Sequence, residues 1–188
     1  MTQLEDNELI RQCIAKDRAA QKALYDRYSP MVYGVCLRYL SNQFDAADCL
    51  QKSFLKVYTR LDQVKTVSTF SGWIKTLTIR TCLDHIKSRN KLKFDPLENH
   101  QEKEYEYADD FELNESQVGY SDLLKLVDLM PEGYRTVFNL AILDELSHQD
   151  IAIECGISAG TSRSQLYKAR RCLQSLITTH YGKIRFNV

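Results

Sequence analysis

An all-α fold is what this sequence predicts, and three observations predict it. Only 3 Pro and 7 Gly occur in 188 residues. Apolar residues recur at spacings of three and four along most of the chain, and no segment alternates with period two for long. Hydrophobic content of 44% and charged content of 27% lie in the globular range, with length for one ordinary domain or two small ones.

From Asp17 to Leu40 the residues Ala20, Leu24, Tyr28, Met31, Val35 and Tyr39 mark an apolar helical stripe. Ser29-Pro30 interrupts it, and a kink is expected there because proline lacks the amide hydrogen. From Asp45 to Leu61 the residues Leu50, Phe54, Val57, Tyr58 and Leu61 repeat the pattern. The stretch Gly72 to Lys87 is apolar on two sides, Trp73, Ile74 and Leu77 on one and Ile79, Cys82, Leu83 and Ile86 on the other. Such a helix is expected to be sandwiched between others.

Between Lys93 and Gly119 the sequence is acidic and without sustained periodicity, the pattern of a linker. A short helix with Leu123, Leu124, Val127 and Leu129 as its apolar face follows and ends at Pro131; Tyr134, Val137, Phe138, Ala141 and Ile142 form another. The organisation is therefore a first helical domain over 1–93, an acidic linker over 94–117 and a second helical domain over 118–188.

Net charge is zero, but it is segregated. Residues 1–95 carry 16 Lys/Arg against 10 Asp/Glu, residues 96–131 carry 2 against 10, and residues 160–188 carry six basic groups and no acidic one. Two basic surfaces joined by an acidic segment suit a polyanionic partner. No run approaches the roughly 18 apolar residues of a membrane span, and the start of the chain is acidic, unlike a secretory signal. The expected compartment is the cytoplasm, with no direct membrane insertion. The six cysteines (Cys13, Cys36, Cys49, Cys82, Cys155, Cys172) are scattered without a C-x-x-C pair and are expected to be buried thiols. His85, His100, His148 and His180 show no ligand spacing, so no metal, cofactor or catalytic constellation is expected.

The strongest signal runs from Leu146 to Leu173. Ser147 can cap one helix, with Asp150 at the third position; Ala152 is small where two helices cross; Gly156 can take φ > 0 in the turn. Ile157 then fills the angle and Ser158 caps the next helix. Turning about 100° per residue, that helix gathers Ser162, Leu166, Ala169, Leu173 and Ile177 on one face. Thr161, Ser164, Lys168, Arg171 and Ser175 fall on the opposite one. Hydroxyls and cations without a carboxylate suit a major groove walled by phosphates, the arrangement of a DNA-binding helix-turn-helix.

The order of parts resembles the extracytoplasmic-function (ECF) sigma factors, small bacterial initiation factors that bring RNA polymerase to promoters, over about four fifths of the chain. The matching residues in the second domain are Pro131, Arg135, Val137-Phe138, Ser147, Ile151-Ala152, Gly156 to Ser158, Gly160-Thr161, Ser164, Ala169-Arg170 and Leu173. In the first domain Asp48 to Tyr58 and Phe70 to Lys87 match in the same order. The resemblance implies that the former stretch binds core RNA polymerase and the latter the −10 element of promoter DNA. The candidate polymerase-binding stripe is Asp48, Gln51, Lys52, Leu55 and Thr59; the candidate −10 contacts are Thr69, Phe70, Thr76, Arg80 and Lys87, with Trp73 beside them expected in the core. The candidate −35 contacts are Thr161, Arg163, Ser164, Gln165, Lys168 and Arg171. An inhibitory anti-sigma factor is implied as a further partner, and association with the nucleoid when bound to polymerase.

Departures from the family pattern are Ala47, Arg80, Met130, Ser162 and Gln165. Arg80 and Gln165 stand where the family reads bases, so an unusual promoter is expected; Ser162 and Met130 are expected to weaken the core slightly. A stand-alone helix-turn-helix regulator would leave the first-domain motifs unexplained, and an enzyme acting on nucleic acid would need clustered carboxylates or metal ligands outside the linker.

Overall fold

The computed structural model describes residues 3–64, 69–89 and 119–181. Among them every regular element is helical. The chain divides into two compact units, the first ending at Arg89. The acidic segment 94–117 and the basic positions Lys183 and Arg185 lie outside the described residues.

In the first unit, α1 (Gln3–Ile14) precedes α2 (Arg18–Leu40), α3 (Gln43–Arg60) and α4 (Phe70–Ser88). Asp17 caps α2, its side chain accepting from the Ala20 amide at 2.8 Å, and Asn42 caps α3 by accepting from the Phe44 amide at 2.9 Å. Pro30 does not divide α2, which is helical through it. The helix tolerates the missing donor because Pro30 lies at an exposed position while Leu24, Val32, Val35 and Tyr39 anchor both halves in the core.

α4 is sandwiched as its two apolar sides require: Ile74, Leu77, Ile79, Cys82, Leu83 and Ile86 are all buried. Its buried Thr78 and Thr81 satisfy their hydroxyls by donating to the carbonyls of Ile74 and Leu77, each at 2.8 Å. Cys36, Cys49 and Cys82 bring one thiol from each of α2, α3 and α4 into the centre of this packing. Hydrogen bonds with the other two thiols, together with burial, push the Cys82 pKa up. Five of the six cysteines are buried and Cys172 is half-buried; all are free thiols.

The second unit begins with α5 (Tyr120–Asp128) and α6 (Glu132–Phe138), which widens into a π-turn over Asn139–Leu143. The buried Arg135 guanidinium reaches back to donate to the Asp128 carbonyl at 3.0 Å, satisfying the otherwise unpaired end of α5. Leu129 is not on the apolar face assigned from its spacing. It is 59% exposed, while Val127 is buried as assigned, together with Leu126 and Met130, which the spacing did not assign. The helix ends at Asp128, so the turn before Pro131 rotates Leu129 outward and Met130 inward. Met130 is thus a core residue, 3% exposed. Helices α7 (His148–Cys155) and α8 (Ala159–Tyr181) complete the unit.

Candidate nucleic-acid and partner interfaces

The turn between α7 and α8 is built from the residues the spacing singled out. Ser147 accepts from the Asp150 amide at 3.2 Å and donates to the Asp150 carboxylate at 2.6 Å. Gly156 takes φ 72°, ψ 38°, a left-handed conformation that suits glycine. The Gly156 and Ile157 amides both donate to the Ala152 carbonyl, at 2.9 and 3.0 Å. Ser158 then accepts from the Thr161 amide at 2.9 Å and starts α8. Ser162, Leu166, Ala169, Leu173 and Ile177 form the buried face of α8.

Ser162 is buried on that face, and its polar side chain has a partner there. Its hydroxyl lies 2.8 Å from His148 Nδ1, so a partly buried hydrogen bond ties α7 to α8. Burial first, then the charges of Arg163 and Arg170, depress the His148 pKa. The ring therefore remains neutral at pH 7, and one nitrogen is free to pair with the hydroxyl in either direction.

On the outer face of α8, Arg163, Lys168 and Arg171 are exposed and Thr161 and Ser164 half-exposed. Ser164 donates to the Thr161 carbonyl at 3.1 Å, which leaves its oxygen lone pairs outward as acceptors. Gln165 has to be withdrawn from the base-reading set: it is 1% exposed. Three residues after Ser162 and four before Ala169, it sits at the edge of the buried arc, and that spacing could have placed it. Two aromatic residues beside this face were overlooked. Tyr167 is 38% exposed, with the Arg171 guanidinium 5.9 Å from its ring centroid, and Tyr134 of α6 faces the same cleft.

In the first unit the structure brings Asp48, Gln51, Lys52, Leu55 and Thr59 together along the outer side of α3, all exposed. Lys52 pairs with Asp48 at 2.6 Å, and His85 Nδ1 lies 3.9 Å from the same carboxylate. Thr59 donates its hydroxyl to the Leu55 carbonyl at 3.0 Å. Leu55 stands 66% exposed among these polar groups. Phe44, 88% exposed, lies 11 residues before Leu55 and so within about 20° of it around α3. The sequence reading left Phe44 out because it precedes the matching motif.

Along α4, Thr69, Thr76, Arg80 and Lys87 are exposed. Phe70 is corrected: it is 1% exposed, edge-on to Tyr28 at 5.1 Å and stacked on Trp73 at 5.7 Å. Trp73, expected in the core, is the half-exposed member of the pair. The aromatic surface available beside the polar strip is therefore that of Trp73, with Phe70 as its buried support.

Among the described residues no group of three or more His, Cys, Asp or Glu is arranged to hold a metal. No helix there is long and apolar enough to cross a membrane.

Two family models match the chain in order. Sigma-70 region 2 covers residues 24–92 and Sigma-70, region 4, residues 120–173. The ECF RNA polymerase sigma factor SigE of Mycolicibacterium smegmatis is 27% identical over 172 residues, 87% of this chain; the chain spans 65% of that protein's length. The ECF RNA polymerase sigma-E factor of Haemophilus influenzae is 28% identical over 185 residues, covering 93% of this chain and 96% of the relative. The RNA polymerase sigma-H factor of Pseudomonas aeruginosa is 24% identical over 186 residues, covering 94% and 96%. Among solved structures, the sigma factor RpoE of Bartonella quintana, in complex with the anti-sigma factor NepR, shares the fold, with a TM-score of 0.51, 18% identity, and coverage of 85% of this chain and 97% of that one. With both regions matched in sequence order over more than half of its length, the chain belongs to the sigma-70 family, within the ECF RNA polymerase sigma factors.

Proposed function

We propose that this sigma factor brings core RNA polymerase to specific promoters through three surfaces on its two units, and that it catalyses no reaction of its own. The outer side of α3 (Asp48, Gln51, Lys52, Leu55, Thr59) docks on core polymerase. The polar strip of α4 (Thr69, Thr76, Arg80, Lys87), with Trp73, meets the −10 element. The outer face of α8 (Thr161, Arg163, Ser164, Lys168, Arg171) enters the −35 element.

The observation that carries this reading is the face of α8. α8 carries four cations (Arg163, Lys168, Arg170 and Arg171) and no carboxylate, and those at 163, 168 and 171 are exposed. A helix of this kind gains counterion-release energy beside phosphates and suffers no repulsion there. The half-exposed Trp73 supports the −10 assignment, since a stacked platform beside cations holds unstacked bases without regard to sequence. The exposed Leu55, ringed by polar groups, supports a protein partner on α3 because exposed apolar anchors of this kind gain most when a partner excludes water.

In this reading the working compartment is the cytoplasm, the partner set is core polymerase, promoter DNA and an inhibitory anti-sigma protein, and the segment 94–117 is the acidic connection that promoter phosphates repel. The test is binding of core polymerase to the full chain carrying Asp48→Arg or Leu55→Asp. Both positions are exposed on α3, so the fold is retained, and each variant is expected to lose at least tenfold in affinity. Unchanged affinity in both would remove α3 from the polymerase interface.

A further inference from the structure

The second unit holds a cleft that the recognition helix alone does not account for. Tyr134 from α6 and Ser164, Tyr167, Lys168 and Arg171 from α8 line a half-open cleft of about 380 Å³. Every polar side chain in this lining is a hydroxyl or a cation. The space is larger than a phosphate group fills, and its walls include two phenol rings. An occupant that satisfies both is anionic at one end and has an apolar or sugar body at the other.

Charge and position select among such occupants. Ser164, Lys168 and Arg171 belong both to this cleft and to the outer face of α8, so whatever fills the cleft is continuous with whatever α8 enters. The Arg171 guanidinium lies over Tyr167, 5.9 Å from the ring centroid, a placement in which the ring restrains the cation's position. Tyr134, by contrast, stands on a helix that packs against α8 and moves with the core of the unit: its neighbours Arg135, Thr136, Val137 and Phe138 are all buried.

We propose that this cleft seats one sugar-phosphate unit of the −35 duplex, with the phosphate at Arg171 and the deoxyribose against the tyrosine rings. Tyr134 is then a positioning residue outside the recognition helix: a backbone contact fixed to α6 sets the angle at which α8 enters the groove and carries no base preference itself. The inference rests on the assignment of α8 to the −35 element and deepens it.

The experiment uses holoenzyme assembled from core polymerase and the full chain, and a duplex that the wild-type holoenzyme selects from a library randomised at −35. Neutral methylphosphonates are placed one at a time along each strand of that duplex. For the wild type, one linkage at the edge of the element is expected to lose about tenfold in affinity on neutralisation, the loss typical of a charge-assisted contact. In Tyr134→Ala the sensitivity at that linkage falls while the other linkages and the selected sequence stay the same. Tyr134→Phe keeps the ring, and with it the fold of α6, and separates the contribution of the hydroxyl from that of the ring.

A methylphosphonate profile identical to the wild type in both Tyr134 variants overturns the proposal while leaving the −35 reading in place. A profile indifferent also to Arg171→Ala overturns both. A third arm adds dTMP to the free chain. Saturable binding of the mononucleotide that Tyr134→Ala abolishes, with an unchanged holoenzyme profile, would make the cleft a small-molecule site and contradict its assignment to promoter DNA.

Discussion

Ser162 occupies a fully buried position on the face where α8 meets the rest of its unit, and it pairs with His148 across the two helices of the motif. A buried hydroxyl without a partner costs far more than the same hydroxyl hydrogen-bonded, so this pair is a local condition for holding α7 against α8. Ser162→Ala is expected to destabilise the unit by about 1 kcal/mol, read as faster hydrogen exchange of α7 and α8 amides. The pH dependence follows from the depressed His148 pKa. In the unfolded chain the imidazole titrates near its ordinary 6.5, whereas in the folded unit it takes up a proton only at lower pH. The unfolded state thus binds more protons in the window just below pH 6.5, and stability declines as pH falls through that window. His148→Gln keeps a hydrogen-bonding side chain without titrating, and its amide protection should vary less between pH 7.5 and 5.5 than that of the wild type. Equal pH sensitivity would exclude His148 as the source.

Gln165 and Phe70 show where reading residues from a motif fails. Both lie within stretches that match the family, and both turn inward, because the helical phase that exposes their neighbours buries them. Replacing Gln165 with alanine is therefore expected to reduce stability and to leave the preferred −35 sequence unchanged. Lys168→Ala should relax that preference at one position, at a cost of roughly 1–3 kcal/mol on the preferred element. A shift of preference in Gln165→Ala would mean that the residue leaves the core on binding DNA.

At the scale of elements, legibility followed the length and regularity of the apolar stripe. α2, α3, α4 and α8 each run for four turns or more, and their periodicity was plain. The first helix was not recognised: its described buried residues, Ile10 and Cys13, make too short a pattern, and it is held to α2 by the Arg27–Asp6 ion pair, a contact distant in sequence. The π-turn after α6 was equally invisible, since it changes which carbonyl each amide meets and leaves the apolar spacing intact. The capping residues were read correctly because a serine before a helix and a glycine after one act locally.

The division of roles on α8 is also an element-scale property. Arg171 lies over Tyr167, and both it and Lys168 line the cleft; in the proposed division Arg171 takes backbone phosphate and Lys168 the base edges. Arg171→Ala should weaken binding to all −35 variants alike and lower the salt slope by about one unit. A salt series on a panel of −35 duplexes separates this from the Lys168 effect. If Arg171→Ala changes base preference instead, the rotational placement of the helix is wrong.

For the whole molecule, the informative pattern is the order of charge: basic, acidic, basic along one chain of zero net charge. Composition alone says little, but the arrangement distinguishes a chain that holds two separated sites on one polyanion from a chain with a single basic face. The order of the two matched regions carries the same message, since a regulator that worked by α8 alone would have no use for the exposed stripe on α3. Because the charge of segment 94–117 mimics a polyanion, we propose that it occupies inside polymerase the path that nucleic acid later takes. Replacing the acidic residues from Glu102 to Glu115 with serine is expected to change the ratio of abortive to full-length products more than the affinity for promoter DNA. Unchanged ratios would leave the segment as a tether only.

The central claim is that this chain confers promoter choice on core polymerase, and in vitro transcription tests it most directly. Core polymerase with and without the purified chain is given a genomic DNA library, and the 5′ ends of the transcripts are mapped. The account predicts starts that appear only when the chain is present, that share a −35 and a −10 motif at fixed spacing, and that disappear with Leu55→Asp. Transcription that is the same with and without the chain, or starts that persist undiminished in Leu55→Asp and Lys168→Ala together, would contradict it.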